Sequence, residues 1–321
     1  MQLIKEEGYE KTMHDQVLPA LMKRRTSGDF ERIAGQKIHY RTYAADNPRA
    51  DLVLVHGFTE GIDKFNEVVY YFLQEGFNVW QIQQRGHGKS YRLVKDPSLV
   101  HLDSYHDLLE DLHFFVSEIV DRTRTDPSLP TYYFGHSMGG GVGAAYLETW
   151  PDDFQKAILS SPMLELDSGN IPVWVASVFA HLMIGLGKGT NYMPGSTPFS
   201  KTPDFENSCS NCQARFDYWF RQACEHEEYQ TNGSSISTAL EFLRLTKYAT
   251  NAKNCKNVKA DVLLVQAGKD HMVKPGGQET FIRQIGDRGR LLRIETAKHE
   301  IYMCVNSDQE KYWDEVMGFL K

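Results

Sequence analysis

The feature that most constrains this chain is an alternation. Short apolar runs are separated by longer segments with helical spacing. Leu52-Val53-Leu54-Val55 is an unbroken apolar run that stops at Gly57, the mark of a strand buried on both faces. Residues 77–82, 131–134, 157–160, 262–265 and 291–294 read as further strands. Residues 65–75, 103–120, 138–149, 276–285 and 308–320 read as helices. In the second of these, Leu108, Leu109, Leu112, Phe115 and Val116 recur every three to four positions, as an apolar stripe requires. Ahead of the alternation, residues 5–23 read as a surface helix, followed by short strands near 30–33 and over 37–43. Strands joined by helices of ten or more residues predict a mainly parallel sheet flanked by helices on both faces. The pattern stops between residues 163 and 255. That stretch is expected to be a helical cap inserted after the sixth strand, leaving 1–162 and 256–321 as the α/β core.

Charge narrows the function. The 321 residues carry 35 Lys plus Arg against 42 Asp plus Glu, a formal charge of −7. A nucleic-acid binder depends on a basic surface, so that class is disfavoured and no nucleic-acid partner is expected. The first seven residues include Lys5, Glu6 and Glu7 where a secretory signal needs an apolar core, which predicts a cytoplasmic location. The five cysteines are then expected as thiols. Cys209-x2-Cys212 with Cys224 and His226 resembles a zinc set only loosely, because the second pair lacks the spacing of zinc modules, and no metal is assigned. Gly139-Gly140-Gly141-Val142-Gly143 lacks dinucleotide-binding spacing, so no cofactor is implied.

The chemistry centres on Gly135-His136-Ser137-Met138-Gly139-Gly140, placed between a strand and a helix. Serine in a G-x-S-x-G elbow occupies a sharp strand-to-helix turn that exposes its hydroxyl, and the helix N-terminus aims free N–H groups at developing negative charge. A serine hydroxyl needs a base. His299 follows the strand at 291–294 and lies at the carboxyl edge of the sheet, where open α/β folds bind ligands. An acid that orients it is expected beyond another strand, and Asp270 follows residues 262–265 on the same edge. Asp167, beyond the strand ending at Ser160, is the alternative acid. His271 adjoins Asp270 and is poorly placed to be oriented by it. For an oxyanion, Met138 N–H follows the nucleophile, and Phe58 N–H comes from the loop His56-Gly57-Phe58-Thr59-Glu60. His56 is expected to brace that loop rather than move protons.

With these residues in view, the chain resembles the α/β-hydrolase lipases of the monoacylglycerol lipase and bacterial lysophospholipase family. The motifs that carry the resemblance are His56-Gly57-Phe58-Thr59-Glu60, Arg85-Gly86-His87-Gly88-Lys89-Ser90, Gly135 to Gly140, Gln266-Ala267-Gly268-Lys269-Asp270 and Ala297-Lys298-His299-Glu300. The order Ser137, Asp270, His299 matches that fold. The resemblance implies Ser137 as nucleophile, Asp270 and His299 as its partners, Phe58 and Met138 as oxyanion donors, and a cap between Ser160 and Val262. The leading expectation is a serine ester hydrolase that cleaves the acyl ester of single-chain lipids, lysophospholipids or monoacylglycerols, through an acyl-enzyme, with a general small-ester carboxylesterase as an alternative on the same fold. One position departs from the pattern. Such proteins usually carry an acid two residues before the Arg-Gly-His-Gly motif, and here Gln83 stands there, leaving Arg85 without that charge partner.

Two other activities fit the same residues less well. A serine aminopeptidase would need carboxylates to hold a substrate ammonium, for which Glu225, Glu227 and Glu228 are the candidates. A nonenzymatic interaction protein would be expected to lose the nucleophile or the base. Within the inserted segment, residues 171–187 include twelve apolar residues of seventeen and no charge. Its polar residues and glycines argue against a membrane span. A helix over this run is expected to place Trp174, Val178 and Phe179 on one face. Trp174 and Phe179 are the candidate substrate-binding residues, lining an apolar acyl tunnel above Ser137. From Met163 to Cys255 there are seven basic and nine acidic residues, so any contact with a membrane surface would be weak, apolar and little affected by salt.

Overall fold

A computed structural model describes residues 1–167, 169 and 172–321. Among the described residues, ten strands form two sheets. They are β1 (Arg25–Glu31), β2 (Lys37–Tyr43), β3 (Ala50–Val55), β4 (Phe77–Ile82), β5 (Leu99–Val100), β6 (Thr131–His136), β7 (Lys156–Ser160), β8 (Gly233–Ser234), β9 (Asp261–Ala267) and β10 (Gly289–Ile294). The main sheet has eight strands in the order β1-β2-β4-β3-β6-β7-β9-β10, and β5 pairs with β8. From β4 to β10 every pairing is parallel, while β1–β2 and β2–β4 are antiparallel. Among the described residues, twelve α-helical segments accompany them: α1 (Tyr9–Thr12), α2 (Leu18–Met22), α3 (Asn66–Gln74), α4 (His106–Phe114), α5 (Asp121–Thr123), α6 (Met138–Thr149), α7 (Val173–Gly185), α8 (Gln213–Glu225), α9 (Ile236–Ala249), α10 (Ala252–Cys255), α11 (Pro275–Ile285) and α12 (Asn306–Phe319).

Strand alternation divides the interior into two cores. Val53, Val55, Trp80, Ile82 and Tyr133 point to one face of the sheet, and Leu52, Leu54, Phe77, Val79 and Phe134 to the other. Both faces are covered, as the continuous apolar runs predict. β7 is the sixth strand of the main sheet, and α7, α8 and α9 all lie between it and β9.

The beginning of the chain departs from expectation. Within residues 5–23 the helical stretch runs from Tyr9 to Met22 as α1, a π-helical turn (Met13–Val17) and α2, and while one face meets solvent the other packs into the interior. Tyr9, Met13, Val17 and Leu21 recur every four residues and are buried in the second core. The strand expected near 30–33 is β1, which pairs with β2 from Arg25↔Tyr43 to Glu31↔Lys37.

Helix α7 also corrects the sequence reading. Trp174, Val178, Leu182 and Leu186, four residues apart, lie 71%, 61%, 62% and 61% exposed along one stripe. Phe179 does not share that face. It turns inward with Ala180 and Met183 onto Ile236 and Leu240 of α9, because positions 179, 180 and 183 form their own stripe at helical spacing. The start of the apolar run, Ser168 and Ile171, falls outside the described residues. Among the described residues, no helix is long and apolar enough to cross a membrane.

Candidate active site

Ser137 joins β6 to α6 with φ 51° and ψ −115°, a strained conformation for a residue with a side chain. The glycines two positions away explain why the turn closes. A Cβ on Gly135 would lie 2.5 Å from the Gly139 carbonyl oxygen, and one on Gly139 would lie 2.3 Å from that of Val55. Neighbouring backbone pins the elbow. Ser137 N–H donates to Ser160 O (3.0 Å), while Ser137 O accepts from Gly141 N–H (2.9 Å) and Met163 N–H (2.8 Å).

Three candidate residues meet here. Ser137 Oγ lies 2.8 Å from His299 Nε2, and His299 Nδ1 lies 2.7 Å from Asp270 Oδ2. Burial alone would raise the Asp270 carboxyl. The His299 hydrogen bond and the N–H groups of Met272 (2.8 Å) and Val273 (3.0 Å) outweigh it and hold the group below its usual range. An ionised Asp270 fixes the proton of His299 on Nδ1, leaving Nε2 free to accept from the serine hydroxyl. Such an arrangement can take a proton from serine as its oxygen attacks an electrophilic carbon, then return it to a leaving group. Asp167 lies apart from His299. Its carboxylate accepts from Gly169 N–H and pairs with Lys274 at 3.2 Å.

One oxyanion candidate follows the serine directly in sequence, and the other is brought beside it by the loop after β3. Met138 is the first residue of α6 and is buried. Phe58 sits on a loop that passes directly beside the nucleophile: a Cβ on Gly57 would lie 3.0 Å from Ser137 Cβ. Among the described residues, neither the Phe58 nor the Met138 N–H donates to a protein acceptor. The ring of Phe58 stands edge-on to Phe242 of α9, with centroids 5.3 Å apart.

Several residues hold that loop. His56 accepts the Gln84 N–H at Nε2 (3.0 Å), and its Nδ1 donates to Gly57 O (2.7 Å), so it braces the loop as expected. His87 accepts the N–H of Thr59 at 3.2 Å, and Thr59 has φ 60°. Burial pushes both imidazoles below their ordinary pKa, which suits neutral rings in these roles. Arg85 finds its carboxylate elsewhere. Asp111 of α4 accepts from Arg85 Nε at 2.7 Å, replacing the acid missing at position 83. Sequence reading missed that partner because it lies 26 residues away on a helix.

A groove of about 780 Å³ runs beside α7 and is lined by Leu166, Trp174, Leu240, Leu243, Arg244 and Lys247, among others. Trp174 therefore borders a groove, but Ser137, Asp270 and His299 do not line it. Glu225 and Glu227 lie on exposed positions at the end of α8 and just beyond it. Cys209, Cys212, Cys224, Cys255 and Cys304 are free thiols, and Cys212 faces Arg215. Among the described residues, no group of three or more His, Cys, Asp or Glu side chains is placed to hold a metal ion.

Residues 46–303 match the family described as Serine aminopeptidase, S33 (Hydrolase_4). The chain belongs to this family. Among curated relatives, a protein named "Monoacylglycerol lipase" from Mycolicibacterium smegmatis is 32% identical over 153 residues, 47% of this chain and 52% of that protein. The match thus spans about half the length of that relative. A Haemophilus influenzae protein named "Probable lysophospholipase L2" is 25% identical over 251 residues, 78% of this chain and 77% of that one. In three dimensions the chain is similar to a monoglyceride lipase from Saccharomyces cerevisiae, solved with a substrate analogue. The TM-score is 0.74 at 19% identity, covering 92% of this chain and 94% of the other. That likeness establishes the α/β-hydrolase fold.

Proposed function

We propose that this chain is a serine hydrolase that cleaves the acyl ester of single-chain lipids, lysophospholipids or monoacylglycerols, through an acyl-enzyme. The observation that carries the reading is the continuous chain of hydrogen bonds from Ser137 Oγ through His299 to Asp270. In this reading His299 takes the Ser137 proton as Oγ attacks the ester carbonyl. The N–H groups of Phe58 and Met138 receive the oxyanion, and Asp270 stabilises the imidazolium. His299 then protonates the departing alcohol. Water, deprotonated by the same imidazole, hydrolyses the acyl-enzyme. No metal or cofactor enters these steps.

The lipid part of the proposal draws on the relatives named as lipases and lysophospholipases and on α7. Residues 163–255 act in this reading as a cap, and the exposed stripe of α7 rests on a membrane or micelle from which substrate is drawn. Four large apolar side chains open to water on one helix face are best explained by such a contact. The family description keeps a second activity in view, removal of an N-terminal residue from a peptide. The same assay separates the two. Ser137→Ala should abolish labelling by a fluorophosphonate and hydrolysis of lysophosphatidylcholine, monoacylglycerol and nitrophenyl esters, with aminoacyl amides as the alternative substrates. Normal labelling of the Ser137→Ala protein would remove Ser137 as nucleophile, and preferred cleavage of the amides would favour the peptidase.

A further inference from the structure

We infer that Lys64 is a positioning residue that clamps the loop carrying Phe58 to the loop carrying His299. The inference rests on the serine-hydrolase reading and deepens it. Lys64 lies in the 3-10 turn Ile62–Phe65 that leads into α3, away from every motif that marks the triad. Its ammonium lies 3.2 Å from Glu60 Oε1 and 2.5 Å from Glu300 Oε1. Each carboxylate belongs to one side of the site. Glu60 Oε2 accepts the Gly57 N–H at 2.6 Å, fixing the peptide next to Phe58. Glu300 is the residue after His299, and its own N–H donates to Cys209 O at 2.9 Å.

The surroundings make this arrangement unforgiving. The side chains of Lys64, Glu60 and Glu300 are only 8%, 3% and 14% exposed. Tyr302 donates its hydroxyl to Glu60 Oε1, and His136 Nε2 stands 3.8 Å from the same oxygen. The Trp219 ring of α8 lies 5.8 Å from the ammonium. Burial alone would push the lysine pKa down, but Glu300 and Glu60 overcome it and keep the group charged. A buried charge left without its partner is costly. Shifting either loop would strand a carboxylate or the ammonium, so the three charges hold both loops in one register.

That register matters more to the transition state than to substrate. Oxyanion donors lower the barrier only when already in place, and a histidine base acts only within hydrogen-bonding reach of its serine. Loosening the clamp should therefore depress kcat and leave KM little changed. A side chain that merely supported the fold would lower thermal stability and the fraction of active protein, without altering turnover per active site.

The experiment uses the full chain, a nitrophenyl ester and a monoacylglycerol, with active sites counted by fluorophosphonate titration. Lys64→Met is expected to lower kcat per titrated site roughly 10- to 100-fold, somewhat less than deletion of an oxyanion donor. KM should stay within about two-fold, and Lys64→Arg should recover most of the loss because it keeps the charge. Full kcat per titrated site in Lys64→Met, whatever happens to its melting temperature, would overturn the clamp. Should Lys64→Met not fold, Glu300→Gln removes one arm and leaves the Lys64–Glu60 pair. Reduced kcat in that variant supports the clamp, and wild-type kcat overturns it. The Ser137→Ala control keeps the two readings apart. Turnover independent of Ser137 would sink the hydrolase reading and the clamp with it, whereas Ser137-dependent turnover indifferent to Lys64 and Glu300 would sink only the clamp.

Discussion

Arg215 of α8 is held by both oxygens of Glu67 on α3, at 2.8 Å from Nη2 to Oε1 and 3.0 Å from Nε to Oε2. Neither side chain meets water, with exposures of 0% and 4%. The guanidinium also donates to the carbonyls of Ile4 and Cys304 and to Asn306 Oδ1, and it lies 5.0 Å from the centre of the Tyr9 ring. One arginine thus ties α8, the N-terminal helices and the region before α12 to a single point. Helix α8 is anchored to the core, while α7, also between β7 and β9, turns its apolar stripe outward.

Breaking this pair should be expensive. Arg215→Met leaves Glu67 buried without its cation, and removing one partner of a buried pair typically costs about 3–5 kcal/mol. Tyr9 and Tyr71 still donate to the carboxylate, which places the expected loss toward the lower end. Arg215→Met combined with Glu67→Gln should recover part of it. Urea denaturation of the three variants checks both statements, and a single variant as stable as wild type would show that the pair does not anchor α8.

The acid of the proposed triad can be tested against its sequence alternative. Asp270→Asn should lower kcat by roughly 10⁴, because an amide neither holds the same His299 tautomer nor stabilises the imidazolium. Asp167→Asn should change kcat little, since it loses only a partly exposed contact with Lys274. Steady-state kinetics with a nitrophenyl ester would reverse the assignment if the two effects came out the other way round.

The regular part of the fold was legible because strand and helix periods repeat. The residues expected for β4 and α6 match the observed 77–82 and 138–149 at both ends. The serine, histidine and acid that meet in space could be found because each follows a strand end. What the sequence hid was contact at long separation. Asp111 replaces an acid absent from position 83, and Arg215 and Glu67 lie 148 residues apart, so no local spacing announces either pair. Lys64 did leave a local trace, four residues after Glu60, but its second partner lies 236 residues on. The short β5–β8 sheet, two residues per strand, carries too little pattern to be read. In α7 nearly every position is apolar, so composition could not tell the buried stripe of Phe179 from the exposed stripe of Trp174.

A buried acid far from the triad should shape the pH dependence of stability. Burial lifts Glu148 of α6 from 4.5 to about 8, and the Cys255 thiol donating to Oε1 only partly opposes this. With the folded pKa above the unfolded one, the protonated form is favoured by folding. That contribution is complete below about pH 4.5 and is lost as pH rises toward 8. Each unit of rise within this window should cost up to about 1.4 kcal/mol. Glu148→Gln resembles the protonated acid and should flatten this slope, gaining stability relative to wild type at pH 8 and little at pH 4.5. Denaturant titrations across that window check it. Parallel pH curves for the two proteins would mean that Glu148 stays ionised when folded.

The two stripes of α7 should separate lipid contact from folding. Trp174, Val178 and Leu182 face solvent, so Trp174→Ser, Val178→Ser and Leu182→Ser together should leave thermal stability nearly unchanged. Burying a large apolar side chain contributes about 1.5–3 kcal/mol, and even partial insertion of three should be measurable as binding to vesicles. The triple variant should therefore lose most of its partition onto phosphatidylcholine vesicles and much of its turnover of long-chain lysolipid, while hydrolysing a soluble acetate ester at the wild-type rate. Because the stripe carries no charge, raising the salt concentration should barely alter binding by the wild-type protein. Phe179→Ser should do the reverse, lowering the melting temperature through its lost contacts with Ile236 and Leu240. Equal losses on the long-chain and acetate substrates in the triple variant would make α7 a structural element, and the proposed contact with a lipid surface would have to be abandoned.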